Sequence, residues 1–248
     1  GLAAALAKGE RTHFIEYVSV AARYVVFWSL PAIALIIVLR AHIVRVILGS
    51  GAFDWTDTRL TAAAFALFSI SLVAQGLTLL IVRAYYAAGR SFVPFFVSSL
   101  VAVLTVALGA ASIGALHIPM VQQTAEDLLR VSEVPGADVL ALAFAYSISA
   151  IIGVIILVAH FEYRFRGFLR RTVRSWLDAA LAACAAGSGA YAMLQILGPI
   201  SLSSTLLTVF TKGFSAGVVG IAAAILMYAL LRTREFEETI AAIRARFY

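Results

Sequence analysis

The sequence predicts an all-α, polytopic membrane protein, a bundle of about six transmembrane helices. Three properties of the 248 residues support this class: 62% are hydrophobic, 13% are charged, and the mean hydropathy is +0.98. Soluble domains are typically about 45–50% apolar and about 25% charged. A soluble fold of this length could not bury so much apolar surface, whereas a lipid bilayer accommodates it.

Six apolar runs are long enough to cross a bilayer, since a helix needs about 20 residues to span about 30 Å of hydrocarbon. Arg23 lies near the start of the first run, Pro31 lies inside it, and Lys212 lies inside the last. The predicted spans are 21–39, 60–82, 94–116, 139–159, 179–197 and 205–231.

The distribution of Lys and Arg predicts that both chain termini face the cytoplasm. Of the 19 cations, 14 lie in the N-terminal stretch, the turn with Arg83 and Arg90, the run 164–174 and the tail, whereas 4 lie in the opposite loops. Cytoplasmic loops carry the excess of positive charge. The acidic loop 116–138 would therefore face outside.

Two segments outside the spans have helical periodicity. In the tail, Phe236, Ile240 and Ile243 recur at i, i+4 and i+7 among arginines, which predicts an amphipathic helix on the cytoplasmic interface. Residues 1–18 could lie on the interface in the same way, and residues 122–134 could form a short polar helix outside.

The loop after the first span has the composition of a structured turn. Gly51 permits a sharp reversal, and Phe53 suits the outer interface. Asp57 or Thr58 is predicted to cap the second span, whose first turn would begin near Arg59.

The sequence carries no signature of catalysis, metal binding or nucleic-acid binding. It lacks GxSxG, P-loop and CxxC motifs, and its single cysteine is Cys184. The basic residues lie between apolar runs rather than in a patch with stacking aromatics. Four histidines lie near span ends without metal-ligand spacing, and are interpreted as interfacial: His13, His42, His117 and His160. We expect no enzyme, catalytic residue, metal or cofactor.

Lys212 is the least expected charge. It lies about two helical turns, roughly 10 Å, inside the last span. A charge at the bilayer centre costs about 2.5–3.5 kcal/mol on insertion scales. Either its long stem reaches outward to the interface, or its ammonium faces a groove and meets an anionic headgroup.

Small residues mark the last two spans. Gly213 and Gly217 form a GxxxG motif, Gly220 follows, and the fifth span offers Gly187. Such residues let helices approach closely, which predicts tight packing of the last two helices. The alternative is a groove that admits a lipid chain.

Arg83 and Arg90 flank the aromatic pair Tyr85 and Tyr86 at the cytoplasmic end of the second span. One interpretation is an orientation anchor with interfacial aromatics. The other is a phosphate contact, since guanidinium pairs with phosphate through two parallel hydrogen bonds.

Several short motifs follow one another in a fixed order along the chain. A span with Leu30-Pro31-Ala32 precedes Gly51-Ala-Phe53, Asp57-Thr58 and Thr61, and the next span ends in Arg83-Ala-Tyr-Tyr-Ala87 before Pro94. This order resembles the MurJ/MviN family of lipid II flippases, within the MOP exporter superfamily. The number and placement of the spans also fit. The resemblance implies helices nine to fourteen of a fourteen-helix protein: residues 1–162 as the last four helices of the second lobe, and 163–248 as two additional helices with the cytoplasmic tail.

The resemblance also implies function. Lipid II, or another polyprenyl-diphosphate-linked substrate, would move from the inner to the outer leaflet of the bacterial cytoplasmic membrane by alternating access. Arg83, Arg90 and Lys212 would be its contacts here, membrane lipids would surround the protein, and the N-terminal half would be the partner. The coupling ion, or a role of the membrane potential, stays open. The third span has only Ser and Thr where some members carry a sodium ligand.

Two alternatives accompany this interpretation. A polysaccharide-precursor or drug/cation exporter of the same superfamily would have a similar fold, but an antiporter should show acidic side chains within its spans, and these spans show none. A non-transporting membrane scaffold could instead bind partners through the acidic outer loop or the basic turn.

Overall fold

The computed structural model describes residues 11–49, 51, 53–116, 118–129, 131, 134, 136–199 and 205–247. Every regular element in these ranges is an α-helix, and the six predicted crossings are confirmed as helices long and apolar enough to span a membrane. The helices are α1 Arg11–Leu48, α2 Trp55–Ile70, α3 Leu72–Ala87, α4 Phe92–Leu116, α5 Pro119–Leu129, α6 Val139–Phe165, α7 Phe168–Leu197, α8 Leu206–Leu231 and α9 Arg234–Phe247.

The first crossing, α1, is much longer than its apolar run. It has 38 residues and continues through Pro31 without a break. At 1.5 Å per residue it is about 57 Å long, which exceeds the hydrocarbon thickness. Phe14 and Val18 are fully buried in the same helix, so a separate interfacial helix is wrong for residues 11–18. Residues 1–10 lie outside the described part.

The second crossing spans Trp55–Ala87 but consists of α2 and α3, which meet at Ser71. The Ser71 hydroxyl donates to the Phe68 carbonyl at 2.7 Å, and the Gln75 side-chain amide donates to the same hydroxyl at 2.8 Å. Hydroxyl groups that bond to the preceding turn compete with the regular helix ladder. This competition explains why one apolar run is interrupted.

Both predicted helices outside the spans are present. The outer one, α5, begins at Pro119 and ends at Leu129, earlier than predicted. The tail helix α9 covers Arg234–Phe247, as the periodicity predicted. The fifth crossing also begins earlier than its apolar run, because α7 starts at Phe168 within the arginine-rich segment.

The helices pack as two groups that share α1. On one side α1 packs most extensively against α7, which packs against α8; on the other, α4 packs on α6, and α6 contacts α2 and α3. Because α1 also contacts α2 and α3, it belongs to both groups. The division at residues 162 and 163 stays a prediction.

The basic segments lie together at one end of the bundle. The rings of Phe14 and Phe165 lie 5.3 Å apart, and the Tyr24 hydroxyl donates to Glu238 of the tail at 2.6 Å. These contacts join the start of α1, the end of α6 and α9. That end is the one that the charge distribution predicts to be cytoplasmic.

Candidate functional site

The small residues of α7 and α8 pack against α1. The distance from a Cβ atom built on each glycine to its nearest neighbours shows how closely the helices approach. Such a Cβ at Gly217 of α8 would lie 3.4 Å from the Leu39 Cδ1 of α1, and one at Gly213 would lie 2.9 Å from the His42 Cβ. A Cβ at Gly187 of α7 would lie 3.7 Å from the Ala34 Cβ of α1. The tight packing therefore involves three helices, whereas the GxxxG pattern had suggested the last two alone.

The α7 and α8 backbones also approach each other closely. A Cβ at Gly220 would lie 2.8 Å from the Ala186 carbonyl oxygen, and one at Gly189 would lie 3.0 Å from the Ala223 Cβ. Real Cβ atoms do not tolerate the first distance, so glycine is required there. At these positions the structure shows helix packing, and a groove for a lipid chain stays a prediction.

Lys212 reaches the end of α7. Its ammonium donates to the carbonyls of Gly198 and Pro199, both at 3.1 Å. Helix C-termini leave carbonyls without intrahelical partners and favour cations. The stem thus reaches outward and the charge is compensated locally, as the first of the two interpretations describes. A contact with substrate stays a prediction.

Arg83 and Arg90 are exposed at the opposite end of the bundle, where α3 ends. Between them, Tyr85 is fully buried, and its hydroxyl lies 2.6 Å from the His160 Nδ1 of α6. The amide of Arg90 donates to the Tyr85 carbonyl at 2.9 Å. The buried tyrosine therefore anchors a turn that presents both guanidiniums to the surface.

The three predicted substrate contacts do not form one site. Lys212 lies near His42, because the next residue of α8, Gly213, faces that histidine. Arg83 and Arg90 lie at the end where Phe14 packs on α6. Phe14 and His42 are separated by about 40 Å along α1. The structure brings Arg83 and Arg90 to one end and places Lys212 at the other.

The loop motif has a different cap from the predicted one. Helix α2 begins at Trp55, and its N-cap is Asp54. The Asp54 carboxylate accepts from the Asp57 amide at 2.8 Å, and the Asp57 carboxylate accepts from the Asp54 amide at 3.1 Å. Asp57 is thus the third helical residue of a capping box. The prediction that Asp57 or Thr58 caps the helix is wrong, because Asp54, three residues before Asp57, is the N-cap and its carboxylate accepts from a free amide of the first turn.

The rest of the motif fastens the loop to α1. Thr58 is fully buried and donates to the Asp54 carbonyl at 2.8 Å. The Arg45 guanidinium of α1 donates to the Phe53 carbonyl at 3.3 Å and to the Thr58 hydroxyl at 3.5 Å. Gly51 has a φ of 68°, which favours glycine. Gly51, Phe53, Asp57 and Thr58 thus have architectural roles.

One interhelical bond compensates for Pro31. Proline has no amide hydrogen, so the carbonyl four residues earlier, that of Phe27, loses its helical donor. The Tyr228 hydroxyl of α8 donates to this carbonyl at 2.7 Å, and the two aromatic rings stack with centroids 4.2 Å apart. Pro31 in the sequence signals the unpaired carbonyl, but nothing in the sequence identifies its donor.

The tail helix is joined to α1 by a buried ion pair. The Arg23 Nε lies 3.1 Å from the Glu235 carboxylate, and their side chains are 17% and 4% exposed. The Phe236 ring stacks on Tyr228 at 6.4 Å. The amphipathic pattern predicted α9 but not these contacts. Glu235 is one of three acidic residues in the first turns of α9, and nothing in the sequence distinguishes it as the partner of Arg23.

The corner between α6 and α7 depends on Glu162. Its carboxylate accepts from the amides of Gly167 and Leu169, both at 2.8 Å. This satisfies free amides at the start of α7 and places negative charge at its N-terminus. The arginines of this segment are exposed around the corner: Arg164, Arg166, Arg170, Arg171 and Arg174.

The structure also locates the histidines. His13 is exposed near Glu16, His160 bonds to Tyr85, and His42 is only 8% exposed. The interfacial interpretation therefore does not describe His42. His117 lies outside the described residues. Within the described ranges, no three His, Cys, Asp or Glu side chains are grouped so that they could hold a metal ion.

Comparison with known proteins identifies the family. The family described as lipid II flippase MurJ matches residues 1–211. A solved structure, "Lipid II flippase MurJ, inward closed conformation", matches with a TM-score of 0.61 and 18% identity over 94% of this chain. The chain covers 42% of that protein, and no curated protein matches the sequence. Since the family match covers most of the chain, the resemblance is confirmed: the chain belongs to the MurJ lipid II flippase family.

Proposed function

We propose that this chain acts as the C-terminal part of a lipid II flippase of the bacterial cytoplasmic membrane. The observation that carries the proposal is the family match over residues 1–211. The six-crossing all-α bundle supports it. Because the chain covers 42% of the similar flippase, transport also requires a second lobe as partner. Alternating access depends on movement of one lobe against another.

Helix α1 would transmit this movement. It packs along α7 and α8 and also contacts α2 and α3, so a displacement of either group acts on α1. The buried pair Arg23–Glu235 and the bond from Tyr228 to the Phe27 carbonyl fix α1 to the C-terminal helices. We propose that α1, α7 and α8 move as one unit.

The exposed guanidiniums of Arg83 and Arg90 suit the entry side of such a pathway. Lipid II carries a diphosphate, and guanidinium groups bind phosphate oxygens through paired, charge-assisted hydrogen bonds. We propose that both arginines attract the headgroup at the cytoplasmic face. Their exposure on a turn fixed by Tyr85 supports this role.

Transport by the complete flippase in liposomes tests the proposal. Fluorescent lipid II is incorporated, and a membrane-impermeant quencher measures how fast the label changes leaflets. We expect transport by the wild type, and about thirtyfold slower transport when Arg83→Gln and Arg90→Gln are combined, if each lost phosphate contact costs about 1 kcal/mol. Arg171→Gln, an exposed arginine at the same end, is the matched control. Wild-type rates equal to those of protein-free liposomes would reject the function.

A further inference from the structure

A groove of ≈ 530 Å³ lies between the end of α8 and the tail helix α9. Two residues separate these helices, so the groove lies where the chain leaves the last predicted membrane span. Ala229 of α8 and the connecting residue Arg232 form one wall of the groove. The other wall belongs to α9 and consists of Phe236, Glu237, Ile240, Ala241 and Arg244.

The tail helix is fixed to the bundle at its start and leaves an apolar stripe uncovered farther along. The side chains of Glu235 and Glu238 bond to α1, and the Phe236 ring stacks on α8. Along the same stripe, Ile240 is only half-buried and Ile243 is 53% exposed. An amphipathic helix at a membrane surface buries such side chains among lipid chains. The stripe that begins on protein is therefore left for lipid.

Two guanidinium groups line the groove without a partner. Arg232 and Arg244 are both exposed, and neither side chain has a hydrogen bond or an ion pair within the described residues. Glu237 also lines the groove but pairs with neither arginine. Two cations against one acid leave the groove with a net positive charge. Guanidinium groups bind phosphate oxygens, and cations beside a span attract anionic lipids of the cytoplasmic leaflet.

The backbone at Arg232 makes its side chain dispensable for the turn. Its φ is 49°, in the left-handed region that glycine adopts most readily, and its amide bonds to the carbonyls of Tyr228 and Ala229 at the end of α8. Glycine would therefore end this helix with less strain. The arginine side chain adds a cation beside the free carbonyls of α8 and extends it into the groove.

The groove is continuous with an exposed apolar face of α8. Leu226, Ala229 and Leu230 are all exposed and recur at i, i+3 and i+4, so they lie on one side of the helix. Ala229 belongs both to this face and to the groove wall. A molecule with a polar group between the two arginines can thus lay its hydrocarbon chains along α8.

We propose that the groove between α8 and α9 binds an anionic glycerophospholipid of the cytoplasmic leaflet. Arg232 and Arg244 bind the phosphate-bearing headgroup, Ile240 contacts the glycerol region, and the acyl chains lie along Leu226 and Leu230. The bound lipid joins the tail helix to the last crossing. The site does not depend on the proposed transport of lipid II.

Retention of phosphatidylglycerol by the purified full-length protein tests the site. Native mass spectrometry compares this lipid with phosphatidylcholine, which has the same acyl chains and a zwitterionic headgroup. We expect the wild type to prefer phosphatidylglycerol, and Arg232→Gly combined with Arg244→Gln to weaken its binding by about tenfold to a hundredfold, because two charged donors are lost. Arg234→Gln is the matched control, because Arg234 is exposed on α9 but does not line the groove. It should keep the wild-type preference.

Two further variants change the charge of the groove while both arginines stay in place. Glu237→Gln removes the acid and should strengthen phosphatidylglycerol binding, whereas Ala241→Glu adds an acid and should weaken it. Both positions are exposed on α9, so neither variant should lower the unfolding midpoint in detergent without lipid. Arg232→Gly should not lower it either, since glycine suits the backbone at that position.

Three results would overturn the site: equal retention of the two lipids by the wild type, wild-type retention by the double arginine variant, or an equal loss in Arg234→Gln. The last result would mean that general surface charge holds the lipid. A protein that prefers phosphatidylglycerol through the groove but moves no lipid II keeps this site and loses the proposed function. A protein that transports lipid II without this preference keeps the function and loses the site.

Discussion

The bond from Tyr228 to the Phe27 carbonyl allows a quantitative test of the helix interface. Tyr228→Phe removes only the hydroxyl and keeps the ring that stacks on Phe27 at 4.2 Å. The tyrosine is 4% exposed, so the carbonyl would lose its donor in a buried position. A buried acceptor without a partner costs about 1–3 kcal/mol, and interhelical bonds in membranes contribute up to about 1.7 kcal/mol. We expect a loss of about 1–2 kcal/mol in the free energy of unfolding.

Pro31 provides the second half of a double-mutant cycle. Pro31→Ala restores an amide that can donate to the Phe27 carbonyl within α1, so the tyrosine hydroxyl becomes redundant. In that background, Tyr228→Phe should cost less than about 0.5 kcal/mol, the usual range for a change without a buried partner. The coupling energy should therefore be about 1 kcal/mol.

The assay is reversible unfolding in mixed micelles, followed by circular dichroism at increasing denaturing detergent. Tyr163→Phe is the matched control, because Tyr163 is 78% exposed and should show no effect. The reasoning would be refuted if Tyr228→Phe lowered the free energy of unfolding by the same amount whether residue 31 is proline or alanine. The hydroxyl would then stabilise the interface for a reason other than the missing amide.

Three further stability predictions follow from the packing. Arg23→Gln should lower the free energy of unfolding by about 3 kcal/mol, because Glu235, 4% exposed, loses its ion partner; replacing both by leucine should cost less. Gly220→Ala should lower the yield of folded protein, since its Cβ would lie 2.8 Å from a carbonyl of α7, whereas Gly114→Ala, with open space, should be neutral or stabilising. Asp54→Ala should cost about 1 kcal/mol in thermal unfolding through the lost cap of α2; an unchanged midpoint would contradict that role.

The class and the crossings follow from the sequence alone because lipid imposes a simple rule. A segment in hydrocarbon must satisfy its backbone internally, so an apolar run of sufficient length becomes a helix regardless of its neighbours. The rule does not predict contacts between helices, as Lys212 illustrates. The sequence gives the depth of Lys212 in the last span, but not its two carbonyl acceptors, which lie just after α7.

The sequence predicted the helix ends less well, because polar residues continue the helices beyond their apolar runs. Helix α1 continues beyond its apolar run at both ends, and α2 begins at Trp55 because Asp54 and Asp57 cap it reciprocally. Hydropathy reports the part of a helix in lipid, whereas the helix ends where its last free amides and carbonyls find partners.

Composition, span number, charge asymmetry and the order of the family motifs were determined by the sequence itself, since each depends on residues close together along the chain. The tertiary structure alone decided which distant residues meet. It placed α1 beside the small faces of α7 and α8, paired Arg23 with Glu235, and formed one groove from the end of α8 and the tail helix α9. These contacts depend on the rotation and depth of each helix, which interhelical packing sets and which a single apolar run does not specify.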